Sequence, residues 1–153
     1  MADLCDSCIF GKISLARARE QLERGADVNY VQSNSTCLMS AVRSKNIELV
    51  SLLLEQPGID VNAKDRFGRT VLHRAAGTVG TPAILRLLLD FPGIDREAKD
   101  LRNWTPLVSS IYLATVAQFA EFLKTPEVLL NDDCIPNHPI RNPVKQKMFA
   151  EER

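Results

Sequence analysis

The residues best able to hold a metal ion or carry redox chemistry are four cysteines and two histidines in a chain of 153 residues. Cys5-x-x-Cys8 has the spacing of zinc and redox sites, and Cys134-x-x-x-His138 could supply two further ligands. In a reducing compartment cysteines are most simply free thiols, and we expect that state for all four. A zinc site and a redox pair are the alternatives.

The sequence shows no catalytic pattern. It contains no glycine-rich phosphate-binding loop, no Gly-x-Ser-x-Gly segment and no His-Glu-x-x-His segment. Asp132-Asp133 is an acidic pair, which we assign to an exposed turn. We therefore predict that the protein is not an enzyme and that it uses no cofactor, no metal ion and no small-molecule substrate.

Two short motifs recur together near a 33-residue period. Thr36, Thr70 and Thr105 each open a stretch of apolar and small residues, and a Gly-x-Asp segment precedes each threonine by a similar distance. A threonine in this position can cap a helix, because its hydroxyl accepts a hydrogen bond from a free amide of the first turn. Two motifs in phase predict stacked repeats, which bury their apolar faces only against one another.

The segment from Asp65 to Ala76 resembles the signature of an ankyrin repeat, Asp-x-x-Gly-x-Thr-Pro-Leu-His-x-Ala-Ala. The resemblance covers about residues 4–131. It implies an all-α fold, an ankyrin-repeat α-solenoid of stacked helix-turn-helix units with β-hairpin or turn fingers. It also implies that His73 hydrogen-bonds back towards Thr70. Asn103 replaces the turn glycine of the third repeat, and we expect it to tolerate positive φ.

The repeats divide the chain into an ankyrin-repeat domain over 1–133 and a tail or cap over 134–153. We place an N-terminal capping repeat and three full repeats at about 1–29, 30–62, 63–97 and 98–131. The predicted helices lie near Ile13–Arg24, Thr36–Ser44, Ile47–Glu55, Thr70–Gly77 and Pro82–Phe91, with a short first helix around Leu4, Cys8 and Ile9 and a last outer helix containing Val116, Phe119, Phe122 and Leu123.

Three repeats separate the two cysteine-containing segments, which argues against a shared metal whose ligands must lie within about 2.3 Å of it. The tail has three readings. It is a cap over the third repeat, a segment that docks a partner, or disorder without a role.

The resemblance implies a protein-interaction module that displays a rigid concave surface, without turnover. The positions expected on that surface differ between repeats, and arginine and aromatic residues are common interface anchors. They are Gln32, Ser33, Ser35 and Ser40 in the first repeat, Arg66, Phe67, Arg69 and Arg74 in the second, and Leu101, Arg102, Trp104 and Ser109 in the third. We predict a protein partner with acidic side chains and at least one apolar anchor. Alternatively the arginines are only a solvated face, and Trp104 packs against Phe67.

The charges balance, with nineteen basic and nineteen acidic residues. A neutral total does not favour binding to nucleic acid or a membrane surface, although a basic concave face and a more acidic back are expected. No apolar run approaches the roughly 20 residues of a membrane-spanning helix, and the first residues lack the pattern of a secretion signal. We therefore expect an intracellular monomer, cytoplasmic or nuclear.

Three functions fit these observations. An adaptor or scaffold is the first, and an inhibitor that binds and blocks an enzyme such as a kinase is the second. The third is a substrate of asparaginyl hydroxylation, a modification frequent in ankyrin proteins. Asn62 is the candidate residue, because it matches the hairpin asparagine and Leu54 lies eight residues before it.

Overall fold

The structure, a computed structural model, describes residues 14–79 and 81–113. Within these ranges the chain forms six α-helices and one short hairpin. They are α1 (Leu15–Glu23), β1 (Val31–Gln32), β2 (Ser35–Thr36), α2 (Cys37–Arg43), α3 (Ile47–Leu54), α4 (Val71–Gly77), α5 (Pro82–Leu89) and α6 (Pro106–Leu113). The predicted first helix of the capping repeat, the outer helix of the third repeat and the tail lie outside the described residues.

Polar side chains fix where the helices begin. The Thr36 hydroxyl accepts from the Met39 amide at 3.2 Å, and the Asn46 side chain accepts from the Leu49 amide at 2.9 Å. The Thr105 hydroxyl accepts from the Val108 amide at 3.4 Å. These caps supply acceptors for amides that have no partner within the helix. The predicted bounds of the described helices are confirmed to within two residues.

The inner helices α2, α4 and α6 pack side by side, and the outer helices α3 and α5 cover them. Ala75 and Ala76 of α4 are fully buried. Their small side chains allow α4 to lie close to its neighbours on both sides. Leucines of helices α2 to α5 fill the rest of the core, namely Leu38, Leu49, Leu53, Leu72, Leu85 and Leu88. A Leu→Ala change at such a site costs about 2–5 kcal/mol.

Asparagine side chains join the loops of successive repeats. Asn29 donates from Nδ2 to the Gly58 carbonyl at 2.7 Å, and its Oδ1 accepts from the Asp60 amide at 2.8 Å. Asn62 makes the same pair of contacts with the Gly93 carbonyl and the Asp95 amide, both at 2.8 Å. Each amide therefore fixes the spacing between its own loop and the next.

Cys37 corrects one prediction from the sequence. It is fully buried in α2 and disulfide-bonded, so the expectation of a free thiol is wrong for this residue. Its partner lies outside the described residues. The spacing of the cysteines gives no indication of this bond, because pairing depends on distances in the folded chain and not on separation along the sequence.

Candidate protein-interaction groove

Three fingers project from the repeats ahead of α2, α4 and α6. Finger 1 comprises residues 31–35, finger 2 residues 65–69 and finger 3 residues 100–104. Finger 1 is the β1–β2 hairpin, in which Val31 pairs with Thr36 and Gln32 with Ser35. Fingers 2 and 3 are tighter turns that begin with an aspartate.

The two aspartates organise their fingers in the same way. Asp65 Oδ1 accepts from the Phe67 amide at 2.8 Å and from the Arg69 amide at 3.0 Å. In finger 3, the carboxylate of Asp100 accepts from the Arg102 and Trp104 amides at 2.8 and 2.9 Å. Carboxylates that accept from turn amides in this way hold the turn in one conformation.

Fingers 2 and 3 are also bonded to each other. The Leu101 amide donates to the Phe67 carbonyl at 3.0 Å, and Lys64 Nζ donates to the Lys99 carbonyl at 3.3 Å. Gly68 allows this approach, because a Cβ there would lie 3.1 Å from the Leu101 nitrogen. Asn103 fills the matching position of finger 3 at a φ of 63°, which confirms that asparagine can replace the turn glycine there.

His73 connects the base of finger 2 to finger 3. Its Nδ1 accepts from the Thr70 amide at 3.1 Å and lies 2.9 Å from the Thr70 hydroxyl, which confirms the contact implied by the resemblance. The ring proton is therefore on Nε2, which donates to the Trp104 carbonyl at 2.9 Å. Burial lowers the pKa of His73 below its usual 6.5, although the Trp104 carbonyl and the charges of Asp100 and Asp65 act in the opposite direction.

A groove of about 350 Å³ lies between fingers 2 and 3 and the inner helices behind them. We call it the arginine groove, and the residues that define it are Phe67, Arg69, Arg74, Leu101, Arg102 and Trp104. Leu101 is 77% exposed at its rim, and Phe67 is 43% exposed. The groove therefore offers both cationic and apolar surface to solvent.

Arginine side chains cover the two aromatic rings. The guanidinium carbons of Arg66 and Arg69 both lie 4.6 Å from the centre of the Phe67 ring. That of Arg102 lies 5.4 Å from the centre of the Trp104 ring. These are cation–π distances, and such contacts restrict the rotamers that long side chains adopt. The cationic surface is therefore partly ordered before any partner binds.

Asp65 contacts two arginines of the groove, Arg69 and Arg74. Its Oδ2 lies 3.2 Å from Arg69 Nε and 2.7 Å from Arg74 Nη2, and its side chain is completely buried. Burial acts to raise the pKa of Asp65, but hydrogen bonds from the Arg69 and Phe67 amides and from Arg74 outweigh it, so the pKa lies below its usual 3.8. Asp65 is therefore ionised at neutral pH.

The structure brings most of the predicted contact residues together. Arg66, Phe67, Arg69, Arg74, Leu101, Arg102 and Trp104 lie on or beside the groove. Ser109 differs, because it is 3% exposed and forms part of the base of the groove. Ser40, at the matching position of the first repeat, is 1% exposed. At this position of the inner helices, the two serines are therefore covered by neighbouring residues, whereas the longer side chain of Arg74 reaches solvent.

The described outer helices and their C-caps carry five acidic and four basic residues, so this side is close to neutral and more acidic than the concave side. The acidic residues are Glu20, Glu23, Glu48, Glu55 and Asp90, and the basic ones are Arg17, Arg19, Arg24 and Arg86. The charge asymmetry therefore comes from fingers 2 and 3 and the residues next to them. Six cations there outnumber the carboxylates of Asp65 and Asp100, namely Lys64, Arg66, Arg69, Arg74, Lys99 and Arg102.

Asp65 and Asp100 were not among the residues predicted for the interaction surface. A signal was present, because an aspartate stands at the same position in two repeats, three residues before the turn residue Gly68 or Asn103. Among the described residues, no group of three or more histidine, cysteine or acidic residues could hold a metal ion. None of the helices in the same residues is long and apolar enough to cross a membrane.

Comparison with known proteins agrees with the architecture. A family model described as ankyrin repeats, in three copies, matches residues 38–132. No curated protein matches the chain. Ankyrin repeats generally serve as protein-interaction modules and are typically non-catalytic. The matched region spans more than half of the 153 residues and contains fingers 2 and 3 and the helices from α3 to α6, so the chain belongs to the ankyrin-repeat family.

Proposed function

We propose that the protein is a non-catalytic adaptor or scaffold that binds a partner protein through the arginine groove. The observation that carries the proposal is the juxtaposition of a highly exposed Leu101 with arginines stacked on Phe67 and Trp104. Exposed apolar and aromatic side chains beside guanidinium groups are the composition of interface anchors. A solvated face needs no such apolar exposure.

The chemistry of the groove also limits the kind of partner. Its cations outnumber its carboxylates, so it favours a surface that carries acidic side chains. Leu101, with 77% of its surface exposed, favours at least one apolar side chain beside them. The proposed partner therefore presents a mixed acidic and apolar surface.

Binding of this kind requires little change of shape in the protein. The tips of fingers 2 and 3 are already bonded to each other through Leu101 and Phe67, and His73 ties Trp104 to the start of α4. A surface that is ordered before binding loses less conformational entropy when the partner docks. The proposed mechanism is rigid display of the groove.

A pull-down from source lysate tests the proposal, with the Arg66→Glu/Trp104→Ala variant compared with the wild type. The variant reverses one cation and removes one anchor of the concave face. We expect it to lose a partner that the wild type retains. Circular dichroism spectra and thermal midpoints must show beforehand that the variant folds.

The matched control is Arg86→Glu/Leu87→Ala on α5, where both side chains are exposed on the outer-helix side. It makes a similar change in charge and apolar surface away from the fingers, and it should retain the partner. If both double variants retain every partner, the arginine groove is not the binding surface. The identity of the retained partner separates an adaptor from an inhibitor, because an inhibitor would reduce the activity of a captured enzyme such as a kinase.

A second proposed function is modification at Asn62. Asn62 is half-buried in the loop before finger 2, and its side chain is bonded to Gly93 and Asp95. A hydroxylase must open these two contacts to reach the residue. Mass spectrometry of protein from cells that contain the hydroxylase should show one added oxygen atom on Asn62. Its absence in those cells would overturn this second proposal.

A further inference from the structure

The charges around Asp65 do not balance. One carboxylate oxygen, Oδ2, contacts the guanidinium groups of both Arg69 and Arg74. Asp65 is fully buried, while the side chains of the two arginines are 31% and 26% exposed. The three side chains together carry one net positive charge at the base of the arginine groove.

Arg74 has hydrogen-bonding capacity that the fold does not use. Its contact with Asp65 runs through Nη2, and its Nε is buried without an acceptor among the described residues. A guanidinium group has five N–H donors in a planar fork that suits carboxylates. Nε is closed to an incoming anion, so the exposed quarter of the Arg74 side chain must provide the contact. A partly buried cation there binds an anion more strongly than a solvated one, because water and salt screen it less.

We propose that Arg74 and Arg69 bind a carboxylate from an acidic segment of the partner protein, above Asp65, while an apolar side chain of the same segment lies against Leu101. The inference rests on the proposed function and identifies the anchor of that site. A second carboxylate would give a network of two guanidinium groups and two carboxylates without excess charge. Arg102, stacked on Trp104 at the edge of the groove, adds attraction at longer range.

The balance of charge among the three side chains at the base of the groove, Asp65, Arg69 and Arg74, favours a carboxylate over a phosphate group there. A single net positive charge at the base matches the one negative charge of an aspartate or glutamate. A phosphoserine carries about −1.5 to −2 charges at neutral pH, which exceeds it. The unphosphorylated acidic segment is therefore the expected ligand, and a phosphorylated one is an outcome that the test can distinguish.

A phage-displayed library of random linear peptides tests the inference on the full chain. It is selected on the wild type, on Arg74→Gln and on Arg86→Gln, the last being an exposed outer-helix control. We expect the wild type and Arg86→Gln to enrich peptides with aspartate or glutamate near an aliphatic residue. Arg74→Gln should lose that enrichment. Equal acidic enrichment on Arg74→Gln, or none on the wild type, would overturn the inference.

A double-mutant cycle makes the test quantitative. A synthetic wild-type-selected peptide is compared with versions in which the acidic residue is replaced by its amide or by phosphoserine. Charge-assisted hydrogen bonds predict a loss of affinity of about 10- to 100-fold for either Arg74→Gln or the amide peptide. The two changes together should weaken binding little more than either alone. Tighter binding of the phosphoserine peptide would replace the carboxylate with a phosphate group and contradict the inference.

Two further variants separate this inference from the proposed function. Arg74→Lys keeps the positive charge and should retain part of the affinity, and urea unfolding of Arg74→Gln must show that it is folded under the binding conditions, because it removes the ion pair with Asp65. Leu101→Ser removes the apolar anchor without altering the cations. If Leu101→Ser abolishes binding and Arg74→Gln does not, the groove binds its partner without the carboxylate anchor. If neither variant changes binding, the proposed function fails as well.

Discussion

His73 Nε2 donates to the carbonyl oxygen of Trp104 across 2.9 Å, which joins the first turn of α4 to the end of finger 3. The neutral ring is required at the other nitrogen, Nδ1, because that atom accepts from the Thr70 amide. Protonation of Nδ1 would place two donors against each other in a buried site. The contact between His73 and Thr70 at the start of α4 therefore depends on the charge of one histidine.

This dependence predicts a loss of stability in mild acid. The pKa of folded His73 lies below 6.5, so as the pH falls through that value the unfolded chain binds a proton that the folded chain does not. Stability contributed by neutral His73 is thus complete above about pH 6.5 and declines as the pH falls towards the lower folded pKa. Urea unfolding between pH 7.5 and 5.5 should show a decrease of at most about 1.4 kcal/mol per pH unit from this group.

The matched variants are His73→Met, which copies the buried Met39 at the same position of the first repeat, and His138→Gln. The free energy of unfolding of His73→Met should depend less on pH over this range, and it should be lower than that of the wild type at pH 7.5. His138→Gln should follow the wild type. An unchanged slope in His73→Met would show that another group titrates.

Asp65 and Asp100 occupy the same position in their fingers and should respond differently to the same substitution. An asparagine at either site can still accept from the two turn amides through Oδ1. In Asp65→Asn, however, an NH₂ group would replace the oxygen that contacts Arg69 and Arg74. Donors would then face donors at a buried site, so we expect a loss of about 2–3 kcal/mol in the free energy of unfolding.

Asp100→Asn is the control, because its carboxylate contacts the Arg102 and Trp104 amides and no ion pair to it is observed among the described residues. The expected loss there is below about 1 kcal/mol. Urea unfolding at pH 7 compares the two variants. Equal losses would mean that the contacts between Asp65 and the two arginines contribute nothing to stability.

The helices could be predicted from the sequence, but the different surroundings of these two aspartates could not. Helix bounds could be predicted, since a capping threonine and its apolar run act over a few residues. The partnership of Asp65 with Arg74 could not, because nine residues separate them and their contact depends on the fold of the finger onto α4. The burial of Ser109 could not be predicted either. A serine is usually exposed, and its identity does not show that neighbouring side chains cover it.

Asn62 should contribute to the cohesion between repeats. Asn62→Ala removes the bonds to the Gly93 carbonyl and the Asp95 amide. Partly exposed hydrogen bonds contribute about 0.5–1.5 kcal/mol each, so the variant should lose about 1–2 kcal/mol in urea unfolding. Glu97→Ala is the control, because exposed Glu97 occupies the matching position of the next repeat. A loss as large in Glu97→Ala would contradict a specific role for the amide.

Gly68 and Gly93 separate the cost of backbone conformation from the cost of close packing. Both have positive φ, 72° and 79°, so an alanine is strained at either position by about 1 kcal/mol. A Cβ at Gly93 meets nothing within 4 Å, whereas one at Gly68 would lie 3.1 Å from the Leu101 nitrogen. Gly68→Ala must therefore also push finger 3 away and weaken the bond from Leu101 to Phe67.

We expect Gly68→Ala to exceed Gly93→Ala by about 0.5–1.5 kcal/mol in the free energy of unfolding, the contribution of one hydrogen bond. Amide hydrogen exchange at Leu101 gives an independent measurement, because loss of the bond to Phe67 exposes that amide. Exchange should become faster in Gly68→Ala and stay unchanged in Gly93→Ala. Equal destabilisation with unchanged exchange at Leu101 would show that the fingers tolerate a methyl group between them, and that backbone strain alone requires the glycine.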